Sequence, residues 1–222
     1  MGRLLEILER DRRAMTINPD ADSAGDIYRL MTAIIVPRPI AFVSSLSPGG
    51  ARNLAPFSFF TAVSANPPVI CFAPMIRGKD GSRKDTLNNV EATREFVVNI
   101  VSEEIARAMN ACSAEVPPEV DEFELSGLTP VPSERVAPPR VAEAKACMEC
   151  RLLQVVHVST RPLGGSLVLG EVVLLHVADP LFHNFSVDPA ALRAIGRMGG
   201  ATYARTTDRF EMPRPGAAER RG

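Results

Sequence analysis

Residues 81–89, GSRKDTLNN, set a glycine, two hydroxyls, two cations and a carboxylate ahead of a leucine and two asparagines. The chain has three lysines, and two of them, Lys79 and Lys84, fall in this region. Arginine is the default cation elsewhere, so the clustering is local. Gly81 permits a tight turn and a close backbone approach. Ser82 stands three residues before Asp85, the spacing of a capping box. A helix beginning near Arg83 would aim free N–H groups outward. With its dipole, the hydroxyls of Ser82 and Thr86 and the cations of Arg83 and Lys84, that end suits a phosphate. An ordinary capped helix with a solvated first turn uses the same residues, and this stretch alone leaves both readings open.

A second constellation runs over residues 38–60, RPIAFVSSLSPGGARNLAPFSFF. Ser44 and Ser45 close an apolar strand. Asn53, Ala55 and Ser58 lie in and just after its hairpin partner, which Pro56 interrupts. Small polar groups on adjacent strands, with a proline between them, leave backbone N–H and C=O groups for a flat heterocycle to use. Phe57, Phe59 and Phe60 read either as core or as a ring that stacks on such a ligand. A sheet edge with core aromatics is the competing reading.

The elements that must position these residues are mostly strands. Residues 40–46, 69–74, 96–101, 150–158 and 166–177 are β-branched and apolar, and SPGG at 47–50 is hairpin chemistry. Helical spacing appears at 86–96 and 188–195, and at 102–113, where Ser102 stands as N-cap. Residues 115–140 are rich in proline and glutamate and predict a long excursion with little regular structure, a flap or partner-covering segment. The pattern predicts an antiparallel, mainly β protein, a β-barrel with peripheral helices. No phosphate-binding G-x-G-x-x-G follows a strand, and RGKDGSRKDT is no Walker loop. Residues 1–14 read as an amphipathic N-terminal extension, 15–211 as one domain and 212–222 as a disordered tail.

Charge and composition narrow the function classes. Twenty-five basic against 26 acidic residues give a net charge of −1. That balance argues against nucleic acid and a polybasic membrane surface as partners. No apolar run is long enough to span a bilayer as a helix, and the charged N-terminus is not a secretory signal, so a cytoplasmic protein is expected. The C-x-x-C of Cys147 and Cys150 lies in a strand-like run without a second ligand pair, and is read as packed thiols rather than a metal site.

PRPIAFVSSLSPGGARNLAPFSFF, NPPVICFAP, KDTLNNV and RMGGATYAR occur here in that order. Together they resemble the flavin reductase-like family of FMN-binding split barrels, in particular the longer branch similar to the reductase component of nitrilotriacetate monooxygenase. The resemblance implies a Greek-key split barrel, a homodimer, and FMN as cofactor with NADH or NADPH as co-substrate. It implies hydride transfer to flavin, with a flavin-dependent monooxygenase as one candidate partner. It places Ser44 and Ser45 on the strand lining the flavin and Asn53, Leu54, Ala55, Pro56, Phe57 and Ser58 on the loop beside its ring. Ser82, Arg83, Lys84 and Thr86 fall on the phosphate segment, and Arg197 and Gly199 in the C-terminal motif, near the cofactor or the partner subunit. No side chain is expected to act as a catalytic acid, base or nucleophile, because the chemistry belongs to the cofactor. One departure stands out. Shorter members carry a histidine where Ser166 stands here, which leaves an FMN-holding or electron-transfer protein without nicotinamide activity as the alternative. Of the three histidines, His157 and His176 read as structural, and His183 is the one candidate near a site.

Overall fold

The computed structural model describes residues 14–215. The expected amphipathic helix at the N-terminus and most of the expected disordered tail lie outside the described residues. Helix α1 (Ala24–Ile34) leads into β1 (Ala41–Leu46), β2 (Arg52–Phe57), β3 (Phe60–Ala65) and β4 (Pro68–Phe72). Then follow α2 (Asp85–Thr93), β5 (Glu95–Ile100), α3 (Ala106–Ala111), α4 (Glu122–Ser126), β6 (Pro130–Val131) and β7 (Arg140–Val141). The long pair β8 (Ala146–His157) and β9 (Ser166–Val177) comes next. The last elements are β10 (Phe182–His183), β11 (Ser186–Val187), α5 (Pro189–Leu192), β12 (Ile195–Arg197) and β13 (Tyr203–Arg205).

Seven strands form one antiparallel sheet in the order β2-β1-β5-β8-β9-β4-β3. The β3–β4 hairpin is laid at the far edge before β5 returns beside β1, the crossed connection of a Greek-key barrel. β1 reads as a continuous apolar run because it is covered on both faces. Val43 joins Phe57, Phe72, Phe96, Leu87 and Val90 in one core. Its neighbour Phe42 points the other way, to Leu54, Val101, Met109 and Phe123. β2 is an edge strand, which is where Pro56, lacking an N–H, can be carried. Among the described residues no helix is long and apolar enough to cross a membrane.

Three local expectations need correction. Ser82 is not a cap: the N-cap of α2 is Lys84, with no side-chain cap bond. Ser82 Oγ instead donates to Asp80 at 2.7 Å and accepts from Arg77 at 3.1 Å. Ser102 does stand at the N-cap position, as expected, but of a 3-10 turn over Glu103–Ile105 and without a side-chain cap bond. The excursion at 115–140 carries more structure than its composition suggests, because buried acceptors on the barrel order its backbone. Glu149 accepts from the N–H groups of Glu134 and Arg135 at 2.9 and 2.6 Å, and Asn99 Oδ1 from that of Val141 at 2.9 Å. Cys147 and Cys150 are packed in β8, and burial pushes the Cys147 thiol up to about 12, which keeps it an inert, small apolar residue.

Candidate functional site

A trough runs along the outer side of β2. Three cavities open on it, and Pro56 lines all three. At one end are Lys84, Asp85, Thr86 and Asn53. The middle is lined by Phe57, Ser58 and Phe59. The other end reaches Ile40, Met109, Asn110, Arg197 and Tyr203. Tyr28 of α1 closes the middle, its ring 6.3 Å from that of Phe59.

The polar end is built by a buried network that ties four elements together. Asn53 Oδ1 accepts from Thr86 Oγ1 at 2.6 Å and from Ser45 Oγ at 3.2 Å. Asn89 Nδ2 donates to Ser45 Oγ at 3.2 Å. Asn53 Nδ2 donates to Glu122 Oε1, and the Leu54 N–H to Glu122 Oε2, each at 3.0 Å. Burial pushes the Glu122 carboxyl above its ordinary value, against the pull of these donors. Asn53 and Ser45, expected beside the flavin ring, and the Thr86 hydroxyl, expected at the phosphate, are therefore committed to one another. Ser44 Oγ is committed too, to the Pro139 carbonyl at 2.5 Å.

Outside this network, the cleft end offers a cation and a helix terminus. The first turn of α2 has no side-chain cap, which leaves its leading N–H groups and the positive end of its dipole without a side-chain acceptor, next to the recess that Lys84, Asp85 and Thr86 line. Among the described residues the Lys84 ammonium reaches one carboxylate, that of Glu115 at 3.7 Å. Arg77, which the sequence reading passed over, braces the loop: it pairs with Asp85 at 2.8 Å and donates to Ser82 Oγ. Arg83 pairs with Glu91, while its buried Nε finds no partner among the described residues. The Lys84 end carries the kind of donors a phosphate needs, and the stretch between Pro56 and the Tyr28–Phe59 pair is walled by apolar rings.

The remaining expected residues divide. Phe57 is core, its ring 5.1 Å from that of Phe72. Leu54 is fully buried, and Ala55 and Pro56 line the trough. Ser58 accepts from Arg38 Nε at 3.3 Å. Arg38 is a second residue the sequence reading left without a role. It is 4% exposed, has no carboxylate against it among the described residues, and donates to the carbonyls of Ile35 at 2.6 Å and Met198 at 2.9 Å. Burial lowers its pKa first of all, and the charge of Arg197 adds to that. Arg38 and Arg197 exchange backbone hydrogen bonds at 2.9 and 2.8 Å. Gly199 packs on α1, where a Cβ would lie 3.2 Å from Ala33 Cα. His157 is held by Ser166 Oγ at 3.0 Å and Glu91 at 3.1 Å, and His176 by Glu149 at 2.6 Å. His183 lies in β10, and none of the three cavities along the trough includes it.

Helix α1 and Tyr28 were missed as well. Their signal was present: Ser23 caps the Asp26 N–H, and Ile27, Leu30, Met31 and Ile34 follow at helical spacing.

The fold is a split β-barrel, and the trough along it joins a polar end to an aromatic middle. The flavin reductase like domain matches residues 31–191, and the chain belongs to that family. It is similar to nitrilotriacetate monooxygenase component B from Bacillus cereus, with 38% identity and a TM-score of 0.85 over 90% of this chain and 98% of that one. It is similar also to 2-nitrobenzoate 2-nitroreductase NbaA of Pseudomonas fluorescens, at 32% identity and a TM-score of 0.82 over 91% and 98%. A Shewanella frigidimarina protein with a split barrel domain shares the fold, at 21% identity and a TM-score of 0.77 over 90% and 100%.

Proposed function

We propose that the protein is an FMN-dependent oxidoreductase that takes reducing equivalents from NADH or NADPH. One observation carries the reading: the uncapped N-terminus of α2 with Lys84 stands at one end of a trough whose wall is Pro56 and whose middle is aromatic. FMN has that polarity, an anionic end and a flat ring. When bound, the flavin supplies hydride acceptance at its N5. The chain supplies position. Lys84 and the α2 N–H groups hold the phosphate, Ala55 to Ser58 align the ring, and the Tyr28–Phe59 pair excludes water. The reduced equivalents go to a partner monooxygenase, in line with the name of the Bacillus cereus relative, or to a nitro compound, in line with that of the Pseudomonas one.

A homodimer belongs to the same reading. Met31 and Ile34 of α1 and the C-cap Ile35 are 46, 68 and 50% exposed, and Val63 on edge strand β3 is 55% exposed, apolar surface that a second copy would cover. The second reading is a flavin-holding or electron-transfer protein. It draws on Ser166, which stands where shorter members carry a histidine and whose hydroxyl is taken up by His157.

The deciding experiment is the spectrum of the purified protein followed by anaerobic addition of NADH and NADPH. FMN that bleaches within the mixing time supports the reductase. Bound FMN that stays oxidised moves the function to flavin holding. A protein that cannot be loaded with FMN overturns both.

A further inference from the structure

A second recess, of about 560 Å³, opens beside the far end of the trough. The two share Asn110, Arg197 and Tyr203, so a ligand lying in one reaches the other. Its charge is lopsided. Arg107, Arg197 and Arg205 line it against the single carboxylate of Glu103. That carboxylate is already taken: Arg193 Nη2 lies 2.6 Å from one oxygen and Arg205 Nε 2.5 Å from the other. Arg107 has no carboxylate partner among the described residues, and it is exposed. Arg197 has no carboxylate partner among the described residues either. Its guanidinium sits 4.5 Å above the Tyr203 ring and donates to the Gly200 carbonyl. Tyr203 is held in place by its hydroxyl, 3.2 Å from Asn110 Oδ1.

We infer that this recess is the subsite for the phosphorylated adenosine end of the nicotinamide donor, and that Arg107 selects NADPH over NADH. The inference rests on the reductase reading for its ligand. Its volume is that of a small-molecule site, which spans roughly 300–1,000 Å³. Its unneutralised guanidinium groups suit phosphate oxygens, for which the planar fork of arginine is shaped. Selection follows from what the recess lacks. An unphosphorylated ribose is recognised by a carboxylate that accepts from its 2′-hydroxyl, and a 2′-phosphate by an arginine. Here the one carboxylate is saturated by two arginines, while Arg107 is left over. The contiguity with the trough sets the direction, with the nicotinamide toward Pro56 and Ser58 and the adenosine phosphates toward Arg107.

Calorimetric titration with adenosine 2′,5′-bisphosphate and with 5′-AMP tests the subsite without turnover. The intact protein should bind the bisphosphate about tenfold or more tightly than 5′-AMP, the effect of one charge-assisted contact. Arg107→Ala should erase that difference and raise KM for NADPH more than KM for NADH. The substitution is on an exposed position, and an unchanged melting temperature certifies the fold. Equal affinity for the two probes, or an Arg107→Ala variant that keeps the preference, overturns the inference. NADPH oxidation that Arg107→Ala leaves untouched would sink the subsite and keep the reductase. Preferential bisphosphate binding through Arg107 in a protein that oxidises neither nucleotide would do the reverse.

Discussion

Thr86 Oγ1 donates a hydrogen bond of 2.6 Å to Asn53 Oδ1, joining the first turn of α2 to edge strand β2 across 33 residues of chain. Both residues are buried. The bond fixes the distance between the segment suited to phosphate and the strand suited to a ring. Glu122 completes the clamp from the opposite side by holding the Asn53 amide and the Leu54 N–H. The long excursion is thus part of the site, because it delivers the carboxylate that fixes the orientation of Asn53.

Breaking this clamp should cost stability in steps. Thr86→Val removes one bond and leaves Asn53 Oδ1 with Ser45 alone, a loss of about 0.5–1.5 kcal/mol. Asn53→Ala leaves the Thr86 and Ser45 hydroxyls without their acceptor and Glu122 Oε1 without its donor, although Ser45 keeps Asn89 and Glu122 keeps the Leu54 N–H, with about 1–3 kcal/mol for each buried group left unsatisfied. The double variant should fall short of the sum, since both changes remove the same bond. Urea midpoints of the three variants check this, and strict additivity would mean that the two side chains act independently.

The two adjacent cations of the phosphate segment should behave differently. Lys84→Ala should weaken FMN far more than riboflavin, by about 1.5–3 kcal/mol for a lost charge-assisted contact. Arg83→Ala breaks a pair with Glu91 and should shift both ligands alike. Fluorescence titration with each flavin reads the difference. A phosphate-specific loss in Arg83→Ala alone would place the anion at Arg83 instead.

What was legible beforehand has a physical pattern. β1, β4, β5, β8 and β9 were readable because each is an apolar run between turn residues, and local periodicity reports local burial. The hairpin at 47–50 and the helix after Lys84 were readable for the same reason. Glu122 was not, because its role depends on a strand 69 residues away, and composition alone marked its segment as irregular. Arg38 was quoted within a motif, yet its partners are carbonyls of Thr32, Ile35 and Met198, and carbonyl partners leave no trace in residue types. Ser82 misled because its spacing to Asp85 matches a cap, while Asp80 and Arg77 compete for its hydroxyl and win.

Arg38 should prove a stability determinant out of proportion to its single charge. Arg38→Met keeps apolar bulk but removes every donor to those carbonyls and to Ser58. Each carbonyl left buried costs about 1–3 kcal/mol. The loss should be regional: the β12–β13 hairpin, tied to Arg38 through Met198 and through the backbone pairing with Arg197, should become the first site of proteolytic cutting. A urea midpoint within about 0.5 kcal/mol of the parent, the range of an ordinary surface change, would refute the assignment.

Acid should release the flap before it unfolds the barrel. Glu149 is fully buried. Burial by itself pushes its carboxyl up, but the Glu134 and Arg135 N–H groups and His176 together pull it below its ordinary value of 4.5. A carboxyl with a depressed native pKa binds fewer protons folded than unfolded in the window between the two values. Stability from this group is therefore present above 4.5 and is lost as pH falls toward the native value. Glu149→Gln should flatten that acid limb, because glutamine does not titrate, and should lower stability at neutral pH by removing one acceptor for the flap. Amide exchange at Glu134 and Arg135 reads the flap directly, and urea midpoints below 4.5 read the whole protein. If the variant and the parent lose stability in parallel through that range, the acid sensitivity belongs to other carboxylates.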